Sequence, residues 1–334
     1  MNLVQAEFER LTARRFVQLM LALLVAAFVV TVATTIAGSH RPTSAEISRA
    51  EAEVQREIAA DQRRLRECRE AFGPDAPDEE WRKYPADCDA LVRRQPQIHD
   101  YLAGVFVFEQ QVPGLVYFLI TFLALFGFLV GASYIGADLN SGGMVNLLLW
   151  RPQRLTVLGT KLGALLGGVL GVSVVASVLF VGAFWLVAEV RGFSGNVDVD
   201  FWSELLPTVV RGWVLTLMVS AIGFAIAVLG RHTAAALGAV AAYAVIWEAG
   251  GRIVMEIVDT SRPDIWMLST YVGAWLLGQI HLSARDAVCA PTNFGYCERV
   301  PYVLGWPIGL VVLSLVVAAF VVGAFAAFRR RDLI

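Results

Sequence analysis

Lysine is nearly missing from this 334-residue chain; Lys83 and Lys161 are its only two. Neither closes a G-x-x-x-x-G-K-[ST] phosphate loop, so the sequence supplies no nucleotide-hydrolysing motif of that type. Histidine is also sparse. His40, His99, His232 and His281 are scattered, and no H-E-x-x-H pair exists to hold a catalytic zinc ion. There is no G-x-S-x-G elbow to present a serine nucleophile. The sequence therefore offers no catalytic, metal, cofactor or nucleic-acid site, and an enzyme is not expected. Charged residues make up only 17% of the chain, with a net charge of -2 that says nothing about partners.

What the chain has in excess is apolar sequence. Hydrophobic residues reach 57% and the mean hydropathy is +0.61, above the range of soluble globular domains. They gather in runs of about twenty, enough to cross a hydrocarbon layer of roughly 30 Å as helices. Helices are required because backbone groups in lipid must pair within their own segment. Six spans are predicted, at 16–38, 114–135, 162–187, 205–229, 234–254 and 304–328. The first is too long, and its Ala37-Gly38-Ser39 too weak a cleavage site, for a removed signal peptide.

The basic residues orient the chain. Arg10, Arg14 and Arg15 precede span one, and Arg151, Arg154 and Lys161 lie between spans two and three. Arg231 and His232 separate spans four and five, and Arg329, Arg330 and Arg331 begin the tail 329–334. Six crossings place all of them on one face, which the positive-inside rule makes cytoplasmic. Both termini are then cytoplasmic, and the protein is expected in the cell (plasma or inner) membrane. The four cysteines fall on the other, oxidising face, where disulfides persist. Cys68 pairs with Cys88 and Cys289 with Cys297 in this reading, because each pair shares a loop; four cysteines allow three pairings.

Residues 1–15 form an amphipathic helix, with Val4, Phe8 and Leu11 on one stripe and charges opposite. It is either a lever touching a partner or a plain interfacial anchor. The insertion 39–111 starts with a helix signal at Pro42-Thr43-Ser44 and continues as a charged helix to Ala71. Trp81, Tyr84 and the first cysteine pair make a small stapled cap. In span three, Gly159, Gly163, Gly167 and Gly171 recur every fourth residue, a face that lets another helix come close. That helix belongs either to the same subunit, the favoured reading, or to a second copy. The apolar stretch 265–281 sits at the lower edge of spanning length. A crossing there would reverse the tail and the last cysteine pair, so 257–303 is expected to be an outer loop with a re-entrant helix. In span five, Glu248 and Arg252 are spaced to neutralise each other. They form either a structural ion pair or part of a translocation path.

The segment 136–161, GADLNSGGMVNLLLWRPQRLTVLGTK, is too elaborate for a turn between two spans. Its order of acid (Asp138), Gly142, apolar stretch, Arg151-Pro152, Arg154 and Lys161 resembles the first intracellular segment of ABC-2-type permeases. Those are the membrane subunits of ATP-binding-cassette exporters. Ala6-Glu7-Phe8-Glu9-Arg10-Leu11 with Arg14-Arg15 resembles the cytosolic connecting helix of the same family. The family more often has Glu at 138 and Thr or Ser at 143 and 144.

The resemblance implies an all-α polytopic membrane protein of six transmembrane helices in the ABC-2 (type V exporter-like) arrangement. It would carry a small disulfide-stapled helical insertion between helices 1 and 2 and a re-entrant segment before helix 6. It implies a permease subunit that exports a small molecule, drug, lipid or peptide. Its partners would be a separate ATPase subunit holding ATP and Mg, a second permease subunit as homodimer or heterodimer, and membrane lipids. Glu7, Arg10, Asp138, Asn140, Gly142, Arg151, Pro152, Arg154 and Lys161 would couple the ATPase to the spans. Asp138 and Arg154 would contact it or hold the segment's shape. A sensor or scaffold that binds a partner through its outer helical domain is the alternative.

Overall fold

The structure, a computed structural model, describes residues 3–72, 87–91, 96–144, 149, 153–282, 289–291, 297–299 and 302–330. Helix α1 (Leu3–Thr12) is joined by the two-residue link Ala13-Arg14 to α2 (Arg15–Gly38), which is followed by the outer helix α3 (Ser44–Ala71). The strand β1 (Phe106–Val107) leads into α4 (Phe108–Asn140). Then come α5 (Arg154–Arg191), β2 (Gly192–Phe193), α6 (Val199–Gly230) and α7 (Thr233–Ile257). A short helix α8 (Leu268–Leu277) and strands β3 (Gln279–Leu282), β4 (Cys289–Pro291), β5 (Cys297–Arg299) and β6 (Tyr302–Gly305) precede α9 (Trp306–Arg330).

Six of these helices, α2, α4, α5, α6, α7 and α9, are long and apolar enough to cross a bilayer. The chain is a multi-pass membrane protein by that measure. All six coincide with expected spans, but the edges differ. Helix α4 starts at Phe108 and runs to Asn140, so it takes residues from both the outer insertion and the segment 136–161. Helix α5 starts at Arg154, which leaves only 141–153 between the two.

Helices α4 and α6 are the buried centre. Small residues bring their backbones together: a Cβ at Gly131 would stand 2.5 Å from the Ser220 carbonyl oxygen, and one at Gly223 would stand 2.6 Å from that of Phe128. Such close approach is how helices gain packing energy where lipid removes the hydrophobic driving force. The α5 stripe behaves differently. A Cβ added at Gly163, Gly167 or Gly171 would meet no described atom outside its own helix within 4 Å, and one at Gly159 would only reach Phe325. The favoured expectation, a seam inside one subunit, is not met: this face stays open.

At the end of the bundle away from α1, the Ser39 hydroxyl donates to the Arg191 carbonyl (2.6 Å) and accepts from the Phe106 amide (2.8 Å). It thereby ties α2 to the parallel β1–β2 pair. The helix α3 has the expected start, as a full capping box. Thr43 Oγ1 accepts from the Glu46 amide, and Glu46 Oε2 accepts from the Thr43 amide at 2.7 Å. Disulfide Cys68–Cys88 is present, as expected. Trp81 and Tyr84 lie outside the described residues. The strands β4 and β5 pair antiparallel with Cys297 opposite Pro291. The side chains of Cys289 and Cys297 are not among those described.

The hydrogen bonds that Glu46 accepts from the Thr43 backbone and hydroxyl, with His40 beside it, lower its pKa from 4.5 to about 2. The folded value lies below the ordinary one. The cap's contribution is therefore complete above pH ~4.5 and is lost as pH falls towards about 2. Amide exchange at residues 44–48 is expected to rise over that window. The Glu46→Ala variant is expected to exchange fast at every pH.

The stretch expected to re-enter holds only the ten-residue α8, about 15 Å long. It is too short to cross. It lies antiparallel against the first turns of α9: Gly309 meets the Tyr271 carbonyl oxygen and Trp275, and the Trp306 amide donates to the Gly278 carbonyl at 2.8 Å. Strands β3 and β6 continue that hairpin with Gln279 opposite Gly305.

Candidate functional site

A cluster of charges closes the end of the bundle that carries α1. Lys161, in the second turn of α5, is 1% exposed, and Glu7 of α1 is 2% exposed. A buried charge is tolerated only when paired and hydrogen-bonded. Lys161 Nζ donates to Glu7 Oε2 at 2.6 Å and to Asp138 Oδ2 at 2.8 Å. The Tyr134 hydroxyl donates to the same Glu7 oxygen at 2.5 Å. Arg14, in the link between α1 and α2, donates to Asp138 and to the Tyr134 carbonyl (2.7 Å). Both cations also lie over the Tyr134 ring, with Arg14 at 4.7 Å and Lys161 at 5.0 Å. Two acids meet two bases, so the cluster is neutral, and Arg10 adds an exposed contact to Glu7 at 3.2 Å.

Local sequence puts each group in place. Tyr134 and Asp138 stand four residues apart on α4 and so share one face. Helix α1 settles on α5 because Gly168 has no side chain: a Cβ there would come within 2.8 Å of Leu11. Three elements that are distant in sequence thereby become one body.

Of the residues expected to couple, Glu7, Asp138 and Lys161 are brought together, with Arg10 at the rim. Asp138 is thus committed to Arg14 and Lys161 within the chain. Asn140 ends α4, and Gly142 takes a positive φ of 72° just beyond it. That left-handed turn explains why glycine stands there. Arg154 sits in the first turn of α5, about 10 Å along the helix from Lys161. Arg151 and Pro152 lie outside the described residues. Sequence reasoning missed Tyr134, and it treated Arg14 as an orienting charge and as part of the connecting-helix resemblance, not as a partner of Asp138. The available signal was the spacing of Tyr134 four residues before an acid at the end of a span.

A second polar cluster lies on α7. Its residues Tyr243–Gly251 are π-helical, a widened turn often found where a helix serves a site. The expected pairing of Glu248 with Arg252 is not made. Arg252 faces Asp264 at 3.5 Å. Glu248 instead accepts from the Ser269 amide (3.0 Å), the Ser269 hydroxyl (2.8 Å) and the Tyr243 hydroxyl (2.8 Å). The Tyr243 oxygen in turn accepts from the Leu268 amide at 3.3 Å. The reason is the amino end of α8. Its first amides have no partner within the helix, and an anion is favoured there. Glu248 caps α8 from another helix, a stronger demand than a one-turn ion pair.

Comparison with family models, with curated proteins and with solved structures finds no match for this chain.

Proposed function

We propose that the chain is the permease subunit of an ATP-binding-cassette exporter, driven by a separate ATPase subunit that docks at the α1 end. The observation that carries this reading is the buried Glu7–Lys161–Asp138–Arg14 cluster. A plain interfacial anchor has no need of a buried lysine bridging it to two spans. A lever does. A push on α1 or on residues 141–153 moves the ends of α4 and α5 together, because Lys161 holds acids from both α1 and α4. Coupling requires such a unit with two discrete poses that nucleotide can bias.

The remaining parts fit the same assignment. The basic face is cytoplasmic, ATP and Mg belong to the partner, and a second permease subunit completes the path. The hairpin of α8 and α9 re-enters from the outer side. Its amino end is satisfied by Glu248 and Tyr243, as backbone at membrane depth demands. In this reading Glu248 lies beside the outer part of the path. The capped and disulfide-bonded helix α3 stands over the outer mouth.

The test is affinity purification followed by reconstitution. A phosphate-loop ATPase is expected to co-purify, and Arg151→Glu with Arg154→Glu is expected to lower transport-coupled ATP hydrolysis at least about tenfold. That is the loss of a single charge-assisted contact of about 1.5 kcal/mol. Unchanged coupling overturns the assignment.

A further inference from the structure

Between α2 and α5 an apolar groove of about 400 Å³ opens on the outer surface of the bundle. Leu21, Val25 and Phe28 form one wall, and Gly167, Gly171 and Val175 the other. A smaller apolar space of about 120 Å³ continues it towards Thr12 and Gln18, with Phe8, Leu21, Gly168 and Val172 shared by both. The rings of Phe28 and Phe180, 5.5 Å apart, stand at the far end. Among the described residues no side chain fills the groove, because the α5 wall carries Gly167 and Gly171 with open space before them.

We propose that this groove seats one acyl chain of a membrane phospholipid, held from the leaflet on the α1 side. Size separates the possible occupants. A helix about 10 Å across would use up 400 Å³ in about 5 Å, a single turn. That is far short of a helix seam. A polymethylene chain is about 5 Å across at ordinary carbon contact distances, and the same volume holds about 20 Å of it. One leaflet offers about 15 Å of hydrocarbon depth, so a single chain fits end to end. The walls agree: Gly167 to Phe180 spans about 20 Å along α5. Charge on α1 and α2, which carry the lining residues Phe8 and Leu21, agrees as well. Helix α2 opens with the exposed Arg15, and α1 carries Arg10 with its side chain 58% exposed. Arg15 suits a lipid phosphate, while Arg10 keeps its contact to Glu7 at 3.2 Å. Glu9, the acid nearest to them in sequence, is held by the Gln5 amide at 3.1 Å. The seat also has a consequence for α1. Phe8 lines the groove, so a resident chain packs against the helix that carries Glu7.

The test uses full-length protein in phosphatidylcholine vesicles containing a phosphatidylglycerol with a photoreactive diazirine at mid-chain. In the unaltered protein, crosslinks are expected at residues 21–28 and 167–175. Gly171→Leu puts a side chain into the groove, where a Cβ meets nothing within 4 Å. It is expected to cut those crosslinks about tenfold, the cost of displacing two methylene groups. Gly163→Leu is the control. It lies on the same open stripe but outside the groove, and it should leave crosslinking unchanged. Equal crosslinking in all three proteins would mean bulk lipid only and would overturn the proposal. So would a Gly171→Leu variant whose subunit number changes while its lipid contacts do not.

Discussion

Replacing Lys161 with alanine is expected to destabilise the protein by about 3–5 kcal/mol, the usual loss when one partner of a buried ion pair is removed. The magnitude follows from what remains. Glu7, 2% exposed, keeps the Tyr134 hydroxyl and the rim contact from Arg10, and loses its only buried cation. Asp138 keeps Arg14 alone. Glu7 then has to reach water, and it does so by lifting α1 off α5. Thermal unfolding in detergent reads the first effect, and protease access to residues 1–14 reads the second.

A paired replacement separates stability from coupling. Glu7→Leu with Lys161→Met removes both charges and restores apolar packing, which is often neutral or stabilising in a buried pair. Stability is expected to return towards that of the unaltered protein. Coupled ATP hydrolysis is not, because Lys161 no longer bridges α5 to the acids of α1 and α4. A double variant that is both stable and fully coupled would remove the lever from the proposed function and leave the cluster a purely structural role.

How much of this could be read from residues alone depends on the range of the interaction. The six spans were legible because length and hydropathy are local quantities. So was the start of α3, since a capping box needs only Thr43 and Glu46. The Cys68–Cys88 bond followed from compartment and loop sharing. Glu7, Asp138 and Lys161 could be singled out by their motifs. Their meeting point could not, because 154 residues separate Glu7 from Lys161 and their contact depends on α1 folding back over α5. Glu248 shows the opposite failure. A neighbour one turn away made the local ion pair attractive, but the unpaired amides of α8, twenty-one residues on, were the stronger claim. The glycines misled in a similar way. The regular stripe on α5 drew attention, whereas the contacts that matter in α4 and α6 use Gly131 and Gly223, and α4 offers only the single G-x-x-x-G step Gly127–Gly131.

That last contrast predicts opposite signs for one substitution. Alanine at an interior helix position is normally better than glycine by about 0.5–1 kcal/mol, since glycine loses more backbone freedom on folding. Gly167→Ala meets nothing within 4 Å and is expected to be stabilising by that amount. Gly131→Ala is expected to destabilise by about 1–3 kcal/mol, because the added methyl confronts the Ser220 carbonyl oxygen at 2.5 Å. Backbone cannot swing aside as a flexible side chain does. Gly223→Ala meets the Phe128 carbonyl oxygen at 2.6 Å and carries a similar cost, so the two together reach about 2–6 kcal/mol. The effect should not stop at stability. Tyr134 and Asp138 lie one to two turns along α4 from Gly131, so a shift of α4 away from α6 displaces half of the charged cluster. Unfolding midpoints of the four variants decide the matter. If Gly131→Ala and Gly167→Ala behave alike, α4 and α6 are not the fixed axis against which α1 and α5 are levered.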